Sequence, residues 1–131
     1  MEGIRIGKIS TINYSAGTVR VVYKDRDDNV TKELPMLSFE YHMPKIDDLV
    51  LILHLSNGTE AGVVLGRFWT NKNVPAEGYE GLFRKELGNT QGNCFVRYDE
   101  NTGELSIESN GDIKIKAAGN ITINGATINL N

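Results

Sequence analysis

The sequence predicts an all-β fold: a small N-terminal barrel, then an intertwined triple-stranded β-helix, assembled as a homotrimer. Three observations carry that expectation. Apolar residues alternate with polar ones at period two through much of residues 1–70, 14 glycines punctuate the 131 residues, and an eight-residue unit recurs through residues 103–131. A 40% hydrophobic content with 24% charge describes a folding chain, and its length suits one medium domain or a small domain with an appendage. The net charge of -3 offers no general attraction to phosphate backbones, so nucleic acid is not an expected partner.

Ile4, Ile6 and Ile9 open an extended segment. In NYSAGTVRVVYKD, Gly17 permits a turn before Val19, Val21 and Tyr23 alternate with Arg20, Val22 and Lys24, the pattern of a strand. The acidic DRDDN, residues 25–29, reads as a solvated turn. It begins like a calcium loop, but Val30 and Met36 stand where that loop needs a glycine and a glutamate. A short strand follows around residues 30–34. Pro35 and Pro44 bracket MLSFEYHM as an irregular segment crossing or capping the barrel.

DLVLILHL, residues 48–55, is apolar on both sides for much of its length. That suits a strand with one face in a barrel and the other under a loop or a subunit. Asn57-Gly58 signals a hairpin into a returning strand at residues 60–67, where Gly62 and Gly66 permit bending or close backbone approach. Together these strands describe a five-stranded, partly open barrel of the OB type over residues 1–70. Phe68, Trp69 and Tyr79 are read as covering a barrel end or an interface rather than stacking on bases.

Residues 71–102 read as a connector and a lead-in strand. NKNVPAEGYEG and LFRKELGNTQG are turn-rich or polar, with a helical turn at residues 80–87 left open, and Cys94, Val96 and Tyr98 then alternate through a strand. Cys94, the single cysteine, excludes an intrachain disulfide and is read as a small apolar strand residue. From residue 103 the chain parses as GELSIESN, GDIKIKAA, GNITINGA and TINLN. Gly103, Gly111 and Gly119 mark the repeat corners. Leu105/Ile107, Ile113/Ile115, Ile121/Ile123 and Ile128/Leu130 supply paired inward aliphatics, separated by the outward Ser106, Lys114, Thr122 and Asn129.

One copy of such a ribbon cannot enclose a core and leaves its strand edges open. Three copies, each giving one face of a narrow triangular prism, solve both problems. The lack of Phe, Tyr and Trp after Tyr98 agrees with an axis too narrow for rings. The expected organisation is a collar at 1–70, a connector at 71–102 and a trimeric shaft at 103–131. At one interstrand spacing of about 4.8 Å per octad, the shaft rises on the order of 20 Å.

In this order, GKISTINYSAGTVRVVY, LPMLSFEYHMPKIDDLVLIL, NGTEAGVVLGRFW and GDIKIKAAGNITINGATINLN resemble the spike protein of contractile phage tails, the baseplate assembly protein V family. Relatives in contractile bacteriocins and secretion systems share the resemblance, which covers nearly the whole chain. It implies an OB collar, a trimeric β-helix, attachment at the end of the tail tube, and first contact with the target envelope. Gly17-Thr18-Val19, Leu34-Pro35 and residues 62–66 would belong to the collar, and the octad aliphatics to the shaft. Asp47-Asp48 departs from the frequent Gly-Asp, although Asp47 can still occupy a tight turn. Many related spikes end in a His-x-His pair that binds iron. Here the histidines are His42 and His54, both assigned to the barrel, so no metal is carried over. The tip is either blunt or covered by a separate capping protein, and the unpaired backbone of a flat end favours the cap.

The functional expectation is a non-enzymatic central spike of a contractile injection machine, with no catalytic residue, cofactor or metal. Its partners would be two further copies, tail-tube, hub and baseplate proteins at the collar, and transiently the target envelope. Glu104, Glu108 and Asp112 fall on the outer shaft, and His42 and His54 lack a serine or cysteine partner. The start MEGIRIGKIS lacks the apolar run of a secretory signal, and residues 49–53 are too short to cross a bilayer, so assembly in the bacterial cytoplasm is expected. The competing classes are a trimeric adhesion or carbohydrate-binding appendage and an OB-type nucleic-acid binder.

Overall fold

A computed structural model describes residues 3–55 and 61–131. The chain is all-β: among the described residues the one helical element is a 3-10 turn at Lys24–Arg26, and the strands form two antiparallel sheets. The first sheet contains β1 (Gly3–Asn13), β2 (Thr18–Tyr23), β3 (Asn29–Val30), β4 (Leu34–Pro35), β5 (Leu49–His54) and β6 (Gly62–Arg67). Its order is β3-β2-β1-β5-β6, with β4 also beside β2. The second is a meander of β7 (Leu82–Glu86), β8 (Cys94–Asp99) and β9 (Glu104–Ser109).

The period-two pattern sorts the first sheet's side chains as expected. Val19, Val21 and Tyr23 of β2 turn inward to join Ile9, Leu34, Met43, Val50, Ile52 and Val64 in one buried cluster. Gly17, at φ 70, donates its N–H to Asn13 O at 3.0 Å and makes the β1–β2 turn tight. Asp47 occupies a left-handed position at φ 74, with its N–H on Ile9 O at 2.9 Å, which lets the chain enter β5. The acidic turn likewise places Asp27 and Asp28 at φ 55 and 58.

The sheet also curls onto itself. Met36, just past β4, donates its N–H to Gly17 O at 3.1 Å, while Leu37 donates to Val64 O at 2.9 Å. Met36 and Val64 form a parallel bridge, so strand contacts run from β1 through β2, β4, β6 and β5 back to β1. The single short strand expected at residues 30–34 is split into β3 and β4. The Asn57-Gly58 turn lies outside the described residues, and β6 begins at Gly62.

Two differences concern the second half. The connector holds a strand, β7, over residues whose pattern allows a helical turn. Leu82 and Phe83 are adjacent and face opposite sides, so no apolar alternation announces this strand; pairing with β8 and charged contacts hold it. The first octad is also less independent than expected: its strand, β9, pairs antiparallel with β8 of the same chain. Beyond it, residues 112–131 belong to no strand, and every residue from 110 to 131 is exposed. Gly103 turns the chain into β9 at φ 74, whereas Gly111 and Gly119 have no positive φ.

Candidate assembly surface

The eight aliphatics read as inward-facing are all open to water in the single chain. Exposure is 62% at Leu105 and Ile107, lowest at Ile121 with 51%, and highest at Leu130 with 91%. Leu105 and Ile107 are brought together on one face of β9. Ile113, Ile115, Ile121, Ile123, Ile128 and Leu130 follow in the unpaired segment. Together they make a run of exposed aliphatics much longer than the isolated apolar residues that a protein surface ordinarily carries.

The meander has two unlike faces. Residues paired across antiparallel strands share a face, so Leu82, Arg84, Glu86, Phe95, Arg97 and Asp99 lie together. There Glu77 accepts hydrogen bonds from Arg84 Nη1 at 2.7 Å and from Arg97 Nε at 2.7 Å. Arg84 Nε also donates to Glu86 at 2.6 Å, and its guanidinium lies 3.7 Å from the Phe95 ring centroid. Tyr79 Oη donates to Asp99 at 2.8 Å and accepts from Arg97 at 2.6 Å.

Arg97 first, and then Arg84, pull the Glu77 carboxyl down to about 2. Arg84 lowers Glu86, and the Tyr79 hydroxyl lowers Asp99. These charges neutralise one another within the chain.

A cleft of about 1150 Å³ separates barrel and meander and is lined by Glu40, His42, Arg67, Trp69 and Arg84, among others. Lys85 Nζ to Glu40 Oε1 at 2.7 Å and His42 Nε2 to Asn89 Oδ1 at 3.1 Å bridge it. Trp69 and Tyr79 are 64% and 46% exposed, so neither is buried as a core residue in the single chain.

His54 is buried in the barrel, hydrogen-bonded through Nε2 to Tyr23 Oη, and burial pushes its pKa below the ordinary value. The Arg5 guanidinium lies 4.8 Å from the Tyr23 ring centroid and donates to Asp25 at 2.8 Å. Gly7 admits this packing: a Cβ there would stand 2.1 Å from Val21 Cγ1. No protein-family model and no curated protein matches the chain.

Outside the barrel, Ile4 and Ile6 of β1 pair with Leu53 and Leu51 of β5, and Leu49 and Leu65 extend the same side. Ile4 is 66% exposed and Ile6 54%. Leu49 and Leu65 are 40% and 41% exposed, so this side of the sheet is apolar and open to water.

The sequence pattern revealed the octad stripe and β8, but not Phe83, Glu77 or Gly7. Phe83 sits in a segment without alternation, Glu77 in an irregular stretch, and the need for Gly7 depends on residues from another strand.

Proposed function

We propose that this chain is the non-enzymatic central spike of a contractile injection machine: a homotrimer whose collar docks on the tube or hub and whose shaft meets the target envelope. The observation that carries the reading is the exposed aliphatic stripe of residues 103–131, carried by a chain whose barrel has a complete core of its own. A segment rich in isoleucine and open on every side gains little from folding alone, and association removes its apolar surface from water. Gly119 adds support: it has no positive φ, and a Cβ there would meet nothing within 4 Å, so nothing in the single chain requires glycine. Close approach of another copy would.

The ring of strand contacts, closed by a parallel bridge between residues 36 and 64, supports an OB-type collar. The bare outer face of β1, β5 and β6 suits attachment to a tube, hub or baseplate protein. Contraction of a surrounding sheath then supplies the force, and the trimer transmits it as a rigid body, after assembly in the bacterial cytoplasm. Iron at a histidine tip forms no part of this reading.

Co-expression with tube and hub proteins tests it. The expected result is a trimer that co-purifies with them and is located by electron microscopy on the axis below the tube. Specific glycan binding without any such association would replace the spike by an adhesion appendage.

A further inference from the structure

The meander's second face is apolar and bare. Phe83, Tyr98 and Leu105 form one row across β7, β8 and β9, and Lys85, Val96 and Ile107 form the next. Phe83 is 56% exposed, Tyr98 40%, and Leu105 and Ile107 62% each. Lys85, the cation of these rows, is drawn to Glu40 of the barrel at 2.7 Å. The opposite face is closed by the Glu77–Arg84–Arg97 contacts. One side of the sheet is therefore internally satisfied, and the other side is not.

We infer that this face is the wide upper end of the same self-association surface as the octad stripe, packed against the same face of two further copies around one axis. The inference rests on the trimeric-shaft reading. What selects a second copy as the occupant is continuity: Leu105 and Ile107 belong at once to the rows of the meander and to the first octad of the stripe. Whatever covers the stripe reaches these two residues, and Phe83, Tyr98 and Val96 lie beside them on the same face. Rings at this level and only aliphatics below describe a core that narrows from collar to tip. The meander then joins collar to shaft rigidly, where an unpacked connector would be a hinge.

Cross-linking of the full-length chain tests the inference. In a Cys94→Ser background, Tyr98→Cys places a thiol on the apolar face and Glu108→Cys places one on the opposite face of the sheet. With both proteins trimeric by sedimentation, a short bis-maleimide is expected to join chains of the Tyr98→Cys protein and leave the Glu108→Cys protein uncoupled. Phe83→Asp is expected to move the dilution midpoint of the trimer by more than about tenfold, while far-UV circular dichroism of the chain is unchanged.

A trimer in which Tyr98→Cys fails to couple, or in which Phe83→Asp leaves the midpoint unmoved, overturns this inference and leaves the shaft reading intact. A native chain that stays monomeric at all concentrations overturns the shaft reading itself, and this inference with it.

Discussion

Replacing Ile115 by aspartate acts on the middle of the proposed shaft. Ile115 is 74% exposed in the single chain, so most of its apolar surface is available for burial on association. Complete burial of such a side chain contributes about 1.5–3 kcal/mol, and the exposed share contributes about 1–2 kcal/mol per copy, hence about 3–6 kcal/mol per trimer. Aspartate forfeits that gain and brings like charges together near one axis. Keeping each carboxyl neutral at pH 7, against an ordinary pKa near 3.9, costs about 4 kcal/mol, or about 12 kcal/mol for the trimer.

A penalty of that size matches the whole stability of a typical domain, about 5–15 kcal/mol, so the shaft is expected not to form. Ile115→Val removes one methylene per copy, about 0.5–1.5 kcal/mol each, and should remain trimeric. Lys114→Asp, at the adjacent outward position, should also remain trimeric. Sedimentation velocity over a dilution series reads the oligomer, and circular dichroism reads the barrel, which has its own core. An Ile115→Asp protein as trimeric and as heat-resistant as the native chain would refute the assignment of this residue to a shared axis.

Three further outcomes are expected. Gly7→Ala brings a methyl against buried Val21 and Tyr23 and should destabilise the barrel by about 1–3 kcal/mol, read as a lower urea midpoint; an unchanged midpoint would show that this close approach is not required. Glu77 is held at about 2 against an ordinary 4.5, so its contribution is complete above 4.5 and is lost as the pH falls towards 2. Glu77→Gln should remove that acid-sensitive slope, read by hydrogen exchange at β7–β9 amides, and equal slopes in both proteins would contradict it. His54 has a lowered pKa, so below the ordinary 6.5 the unfolded chain takes up the proton first and barrel stability falls with pH. His54→Gln should flatten the urea midpoint between about pH 7 and pH 5, and a slope equal to the native one would place the titrating group elsewhere.

The barrel was legible in the sequence because burial on one face of a strand writes itself into every second residue. Val19, Val21 and Tyr23 announce β2 without knowledge of their partners, and Val50 and Ile52 do the same within a run that is apolar on both sides. The closing contact of Met36 with Val64 was not legible, because nothing in either neighbourhood specifies a partner 28 residues away. β7 was hidden for a different reason. Its half-buried side is filled by Arg84 and Glu86, whose charges are cancelled by Glu77, Arg97 and each other, so a satisfied strand face looks polar in the sequence. The octads show the converse: their spacing announces strands, yet residues 112–131 find no strand partner among the described residues.

Burial changes in one direction along the molecule, and that gradient ties the fold to the proposed task. The barrel closes on itself, with Ile9, Val21, Val50, Ile52 and Val64 at 0% exposure, and needs no second copy to hold its shape. The meander is satisfied on its ionic face and open on its apolar face. The final segment is open throughout. Exposed apolar surface therefore increases from the barrel to the final segment, and under the proposed function dependence on association rises in the same direction, from collar to shaft. A self-sufficient tail would have to enclose its own core and would be thicker. In the proposed trimer, each incomplete ribbon would let three thin strips share one axial row of Ile and Leu, and the proposed spike would be narrowest at the end that meets the envelope.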